Sequence, residues 1–417
     1  MDSTTAVEKQ AAARSAKRAR RPTTPPDAGD DAAVDLISGL DDDVLLRVLS
    51  LLPDASDAVR TGALSRRWRG LWTRVAALRF APRPGFTGAT TAAAGAAAEQ
   101  RAAIERYAAF IDGVVARRAQ SGCAIESLSI VYTTSGIQKQ RTPAYVTDPL
   151  AIPGPTWWPK AERDMQQLMP SCVRAARCWI CNAFRHGVKS FVLDLRLPPA
   201  PPPMRVPPVP PLYSWWGYYG DEEEEEDVLL LDGLPCPDRL ETLHLALGDA
   251  RLRLPSTVKF ASLAHLSLER INITTGGAHL LGRLVSSASC PHLQKLRMRN
   301  IYLRGGVNEE MRIEANVLSE LWIDTVAVLT SLKLTTPRLR ALHMYECSYE
   351  VLTISAPRLE ELAISFQPNF TPRWLEKLRS KVACCAYYED VNDTNVLLLK
   401  YYVAHLHALT WFFKVKR

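Results

Sequence analysis

Leu318-Ser-Glu-Leu321-Trp-Ile323, Leu339-Arg-Ala-Leu342-His-Met344 and Leu359-Glu-Glu-Leu362-Ala-Ile364 are three copies of one pattern, Leu-x-x-Leu-x-apolar. Three more copies stand upstream, at Leu240-Leu243-Leu245, Leu263-Leu266-Leu268 and Leu293-Leu296-Met298, so the starts lie 23, 30, 25, 21 and 20 residues apart. The last three copies agree over a longer stretch. Met311 and Ile313, Leu332 and Leu334, and Leu352 and Ile354 each precede a turn residue, Asn316, Pro337 or Pro357, and then the leucines. An apolar residue at every second position predicts a strand with one face buried. One such unit is too small to bury its own leucines. Stacked units share a continuous core, so the copies are expected to fold as one solenoid.

The period is that of leucine-rich repeats. The fold class expected is α/β: a small N-terminal helical unit followed by a leucine-rich-repeat solenoid, a curved and mainly parallel sheet. The residues between the leucines must point out of the inner strands. They form six rows: Thr242-His244-Ala246, His265-Ser267-Glu269, Lys295-Arg297-Arg299, Glu320-Trp322-Asp324, Ala341-His343-Tyr345 and Glu361-Ala363-Ser365. The middle rows are the expected target-binding surface: Lys295, Arg297, Arg299, Glu320, Trp322, Asp324, His343 and Tyr345. Arginine beside aromatics is the composition of binding hot spots. The basic and acidic rows could equally pair with each other.

Upstream the chain changes character several times. Residues 1–34 hold almost no large apolar side chain and are expected to be a disordered basic arm. Six basic residues against Asp2 and Glu8 give the first 21 positions +4 of the chain's net +7, so the rest is only mildly basic. The cluster Lys17-Arg18-Ala19-Arg20-Arg21 fits a nuclear import signal, and the expected location is nucleus and/or cytoplasm. In 35–80, Asp41, Asp42 and Asp43 mark a helix start. Val44, Leu45, Val48, Leu49 and Leu52 follow at helical spacing until Pro53. A second helix is expected over Ser56 to Leu64, with Gly62 a mild liability inside it. A third carries Arg66, Arg67, Trp68, Leu71 and Trp72. This unit and the solenoid are expected to have separate cores.

The segment 81–120 reads as a linker, with its low-complexity Thr, Ala and Gly at 86–100, and then an amphipathic helix bearing Ile104, Tyr107, Ile111, Val114 and Val115 and ending near Arg118. The solenoid is expected over 121–380. Within it, strands at Ile125–Val131 and Val188–Leu195 flank a helix from Ala161 to His186. The Pro-rich, then acidic run 198–227 is expected to be a mobile insertion. Residues 381–417 are a C-terminal extension or last repeat.

Asp35 to Trp72 resembles the F-box, in Ile37, Leu40, the run Asp42 to Pro53, Asp57 to Thr61, and above all Leu64-Ser65-Arg66-Arg67-Trp68-Arg69-Gly70-Leu71-Trp72. The chain as a whole looks like the plant F-box/leucine-rich-repeat proteins, and the resemblance implies that its C-terminal segment corresponds to their FBD-like extension. It departs from them at Leu40-Asp41, where the family commonly has Leu-Pro. The resemblance implies a non-catalytic substrate adaptor of an SCF-type cullin-RING ubiquitin ligase. The F-box would bind a Skp-family adaptor, and through it a cullin, and the solenoid would bind an unidentified target protein. The adaptor-binding set it implies is Leu40, Leu45, Leu49, Pro53, Val59, Leu64, Trp68 and Leu71, part core and part interface. Two other readings are a repeat scaffold outside any ligase and, more remotely, a nucleic-acid-associated regulator.

No catalytic constellation, cofactor or metal site is expected. The string Cys172, Cys178, Cys181, His186 has zinc-like residue types, but it lies on a helical pattern where cysteines are usually packing residues. Cys384-Cys385 has no second pair. Nine cysteines, an odd count, together with no apolar leader, point to a reducing compartment. The apolar stretch 395–413 is broken by Lys400, His405 and His407, and is not read as a membrane span.

Overall fold

A computed structural model describes residues 37, 39–81, 96–133, 160–196, 228–231, 235, 237–255, 259–274, 276–303, 309–327, 329–347 and 351–366, with two-residue strands at 387–388, 397–398 and 401–402. The basic arm, the insertion 198–227 and Cys384-Cys385 lie outside them.

The chain divides into two compact units, Met1–Val44 and Leu45–Arg417. In the first, the Leu40 amide donates to the Ile37 carbonyl at 3.2 Å. Asp41 Oδ1 accepts from the Asp42 amide at 2.8 Å, where helix α1 (Asp42–Leu51) begins. The chain thus enters the helix through the Asp41 carboxylate, with no proline at the turn.

In the second unit, α1 ends before Pro53, as expected. Helix α2 (Ala55–Thr61) and helix α3 (Arg66–Leu71) follow, the latter running into a 3₁₀ turn at Trp72–Arg74. α2 is shorter than its pattern suggests. Gly62 closes it rather than interrupting it: the Gly62 amide donates to the Val59 carbonyl at 3.1 Å and the Ala63 amide to the Arg60 carbonyl at 3.0 Å. α2 is capped by Asp54, whose Oδ1 accepts from the Ser56 amide at 2.6 Å.

The large sheet starts earlier than the sequence suggests. Strand β1 (Ala77–Phe80), inside the stretch read as the helical unit, pairs in parallel with β2 (Ser127–Thr133). β3 (Ser190–Arg196), β5 (Thr242–Arg253), β6 (His265–Ile273), β7 (Lys295–Leu303), β9 (Glu320–Ala327), β11 (Ala341–Cys347) and β13 (Glu361–Phe366) add in that order, all parallel, with β4 (Val228–Leu230) pairing the far end of β5. Tyr401–Tyr402 pairs antiparallel with β13, at Leu362 and Glu361. A second sheet is made by β8 (Glu309–Glu314), β10 (Leu329–Thr335) and β12 (Val351–Ser355). In it Met311, Leu332 and Leu352 lie in one register and Ile313, Leu334 and Ile354 in the next. That is the alignment the sequence shows. The order is open, since β1 stands at the far end from β13.

Long helices cover the first strands. Helix α4 runs Ala96–Gln120, so the alanines read as the end of a linker are its first turn. Alanine has the highest helix propensity, and the low-complexity composition hid it. Helix α5 spans Lys160–Arg185, and a short α6 (Gly277–Leu284) lies against β8. A Cβ at Gly282 would run into the Arg312 carbonyl oxygen, so this helix approaches the sheet as closely as only glycine permits.

Separate cores are not what forms. Buried side chains make one continuous cluster from Leu45, Leu49 and Leu71 through Leu78, Ile130, Leu193 and Leu245 to Ile364. A polar tie reinforces it: Asp54, buried, also accepts from the Ala81 amide at 3.0 Å, just beyond β1.

Four successive inner strands, β5, β6, β7 and β9, each bend at one place. Asp249, Arg270, Asn300 and Thr325 have φ of 72°, 52°, 50° and 53°, the left-handed region that non-glycine residues avoid. The strand registers align Arg270 with Asn300 and Thr325, so the bends stack into a column. Asp249 reaches the same column through a bulge in β5, and its carboxylate meets Arg270 at 2.8 Å with both side chains mostly covered.

Candidate functional site

The outward rows pair as the leucine spacing predicts. Lys295, Glu320 and Ala341 lie across from one another on β7, β9 and β11. Arg297, Trp322 and His343 form the next row, and Arg299, Asp324 and Tyr345 the third. The sheet therefore brings all eight expected target-binding residues onto one face. A parallel sheet held in register by its buried leucines places equivalent side chains about 4.8 Å apart.

The outer two rows neutralise themselves. Lys295 Nζ lies 2.9 Å from Glu320 Oε1, and Arg299 reaches Asp324 at 3.1 Å and Glu269 at 3.7 Å. These are half-exposed pairs, each contributing at most about 1 kcal/mol. Their effect is to remove any basic stripe, which counts against a nucleic-acid interface.

The central row is built differently. Trp322 and His343 stack with ring centres 4.1 Å apart and planes 23° apart, and Tyr345 continues the stack at 6.5 Å from His343. Such pairs contribute about 0.5–1.5 kcal/mol beyond burial and hold each ring in place. His343 is only 8% exposed, with Nε2 at 3.7 Å from Glu361 Oε1, whereas Trp322 is 37% exposed. The Arg297 guanidinium lies 5.8 Å from the indole centre. Burial, with Glu361 and Asp324 adding to it, pushes the Tyr345 hydroxyl pKa up. His244, two strands away in the same row, is held below its ordinary pKa by burial, against Glu269 and Asp194, and with Arg297 adding to the depression. A depression of about 330 Å³ opens in front of His244, His265, Arg297 and Trp322.

A larger depression, about 420 Å³, lies off this face among His292, Gln294, Arg338, Arg340 and Arg358. The repeated Pro-Arg-Leu at 337–339 and 357–359 was its only trace in the sequence.

The expected adaptor-binding set divides. Leu45, Leu49 and Leu71 are buried core, and Val59 and Trp68 are half-buried against it. Leu40, Pro53 and Leu64 are exposed. The pattern missed Val44, Val48 and Leu51, which stand at i, i+4 and i+7 of α1 and are all exposed, Leu51 to 71%.

Cys172 is buried and its thiol pushed up to about 12, while Cys178 is exposed on the same helix. Among the described residues no group of three or more His, Cys, Asp or Glu side chains is placed to hold a metal ion, and no helix is long and apolar enough to cross a membrane.

No family model and no solved structure matches the chain. Curated relatives do. One FBD-associated F-box protein of Arabidopsis thaliana is 58% identical over 47 residues, 11% of this chain and 12% of the relative. Another from the same plant is 56% identical over 47 residues, 11% of each. F-box/LRR-repeat protein 25 of Arabidopsis thaliana is 41% identical over 46 residues, 11% of this chain and 18% of that protein. The chain thus spans between about a tenth and a fifth of the length of these relatives. Over that short stretch the chain is similar to F-box proteins.

Proposed function

We propose that this chain is the substrate-recognition subunit of an SCF-type cullin-RING ubiquitin ligase. In this reading the three helices from Asp42 to Leu71 are the F-box and bind a Skp-family adaptor, which carries a cullin. The stacked strands are a leucine-rich-repeat solenoid, and its outward face at β7, β9 and β11 captures the target protein. The chain performs no covalent chemistry. It holds a target beside a charged conjugating enzyme and so raises effective concentration. The arm's basic cluster would send it to the nucleus.

The observation that carries this reading is the pair of faces on α1. Leu45 and Leu49 are buried, while Val48 and Leu51 on the same helix stay exposed, and Leu64 is 71% exposed nearby in sequence. Large apolar side chains left out of a core mark a surface made for a partner.

The test separates fold from docking. Leu51→Asp, in a full chain co-expressed with a Skp-family adaptor, should abolish co-purification and leave thermal unfolding unchanged, because the side chain is already in water. Leu49→Asp should cost the fold itself, since it buries an unpaired carboxylate. An adaptor that co-purifies equally with wild type and with Leu51→Asp carrying Val48→Asp overturns the docking assignment.

A further inference from the structure

Three cations project from β7 onto the capture face, and their surroundings differ. Lys295 is bound to Glu320, and Arg299 lies between Glu269 and Asp324. Arg297, between them, has no ion pair among the described residues. Its cross-strand neighbours are Ser267 on one side and Trp322 on the other. The one acidic side chain lining the depression in front of it is Glu320, already engaged by Lys295. Arg297 is therefore the one cation of β7 left without a carboxylate among the described residues, at the centre of the central row, beside an exposed indole.

We infer that the target segment presents a carboxylate side chain next to a flat apolar one. The carboxylate is taken by Arg297, and the flat side chain lies on the Trp322–His343–Tyr345 stack. This rests on the reading of the face as the capture surface, and names the chemistry captured. Three features carry it. The guanidinium offers a planar fork that matches a carboxylate with two parallel hydrogen bonds. Trp322 lies close enough to shield that pair from water, and its own stack is pinned by His343, so little freedom is lost on binding. A basic side chain placed at Arg297 would instead meet like charge, and that juxtaposition rejects it.

The probe is a displayed library of random linear peptides, panned against the purified full chain. Recovered peptides should carry Asp or Glu within about three residues of Trp, Tyr, Phe or Leu, the reach of neighbouring rows on a sheet. One synthesised peptide should lose at least about tenfold in affinity towards Trp322→Ala and towards Arg297→Glu. Exchange of its acidic residue for Lys should restore binding to Arg297→Glu alone. Arg297→Glu alters an exposed side chain and should unfold at the wild-type temperature, whereas Trp322→Ala removes the stack on His343 and should unfold somewhat lower, still in one cooperative transition. Peptides that depend on Trp322 but carry no acidic residue and bind Arg297→Glu unchanged overturn the carboxylate assignment and leave the face standing. Peptides indifferent to both variants, or no enrichment at all, overturn the capture reading and this inference with it.

Discussion

Asp54 joins the helical unit to the sheet, and its removal measures how firmly. One carboxylate oxygen caps α2 through the Ser56 amide at 2.6 Å, and the other holds the Ala81 amide at 3.0 Å. Asp54→Ala removes both. Loss of a helix cap costs about 1 kcal/mol. Leaving the Ala81 amide without its charged acceptor costs about 1–3 kcal/mol more, so the total is near 3 kcal/mol. Asp54→Asn keeps an oxygen for the cap but turns an NH₂ towards the Ala81 N–H, two donors face to face, and should lose roughly half as much. Hydrogen–deuterium exchange reads the effect locally. With tenfold per 1.4 kcal/mol, amides of α2 and β1 should exchange roughly a hundredfold faster in Asp54→Ala, while β9 and β11 keep wild-type rates. Exchange in α2 and β1 that stays within about threefold of wild type refutes the tie. So does an Asn variant as protected as Asp.

Gly282→Ala should destabilise the chain by about 1–3 kcal/mol, because the new methyl meets the Arg312 carbonyl and backbone cannot step aside as a side chain can; an unchanged thermal midpoint would show that α6 sits further from β8. His244 is held below its ordinary pKa by burial, so between the folded and unfolded values the unfolded chain binds the extra proton. Its contribution is present above the unfolded value, near 6.5, and is lost as pH falls through the folded one. His244→Gln should therefore flatten that part of the acid limb in urea midpoints taken from pH 7 down to 5, and an identical limb in the variant counts against a buried neutral imidazole.

The sheet was legible because its signal is redundant. Six copies of Leu-x-x-Leu-x-apolar fix both the strands and their phase, and phase alone places Arg297, Trp322 and His343 in one row. The split of α1 was not legible. Val44, Val48 and Leu51 are as apolar as Leu45 and Leu49, so helical periodicity gives no ground for choosing which face is buried. Nor could pattern reveal that Asp54 reaches the Ala81 amide, 27 positions away at the end of β1. The bend column was half visible. Asp249 and Asn300 are residue types that tolerate left-handed backbone, but Arg270 and Thr325 carry no such mark, and their conformation is imposed by the coils they stack against.

That column fixes which side chains can be varied. From Ser267 to Arg270, Arg297 to Asn300 and Trp322 to Thr325 the separation is the same three residues, so the central row of β6, β7 and β9 is indexed from a backbone corner. A slip of one residue would turn leucines outward and break the column at once. Alignment of the face thus belongs to the main chain and to the buried leucines, and the outward positions carry none of it. The protein can exchange Arg297, Trp322 or their neighbours for other residues without losing their places in the row. A lineage of such chains could change what it recognises while keeping its frame intact.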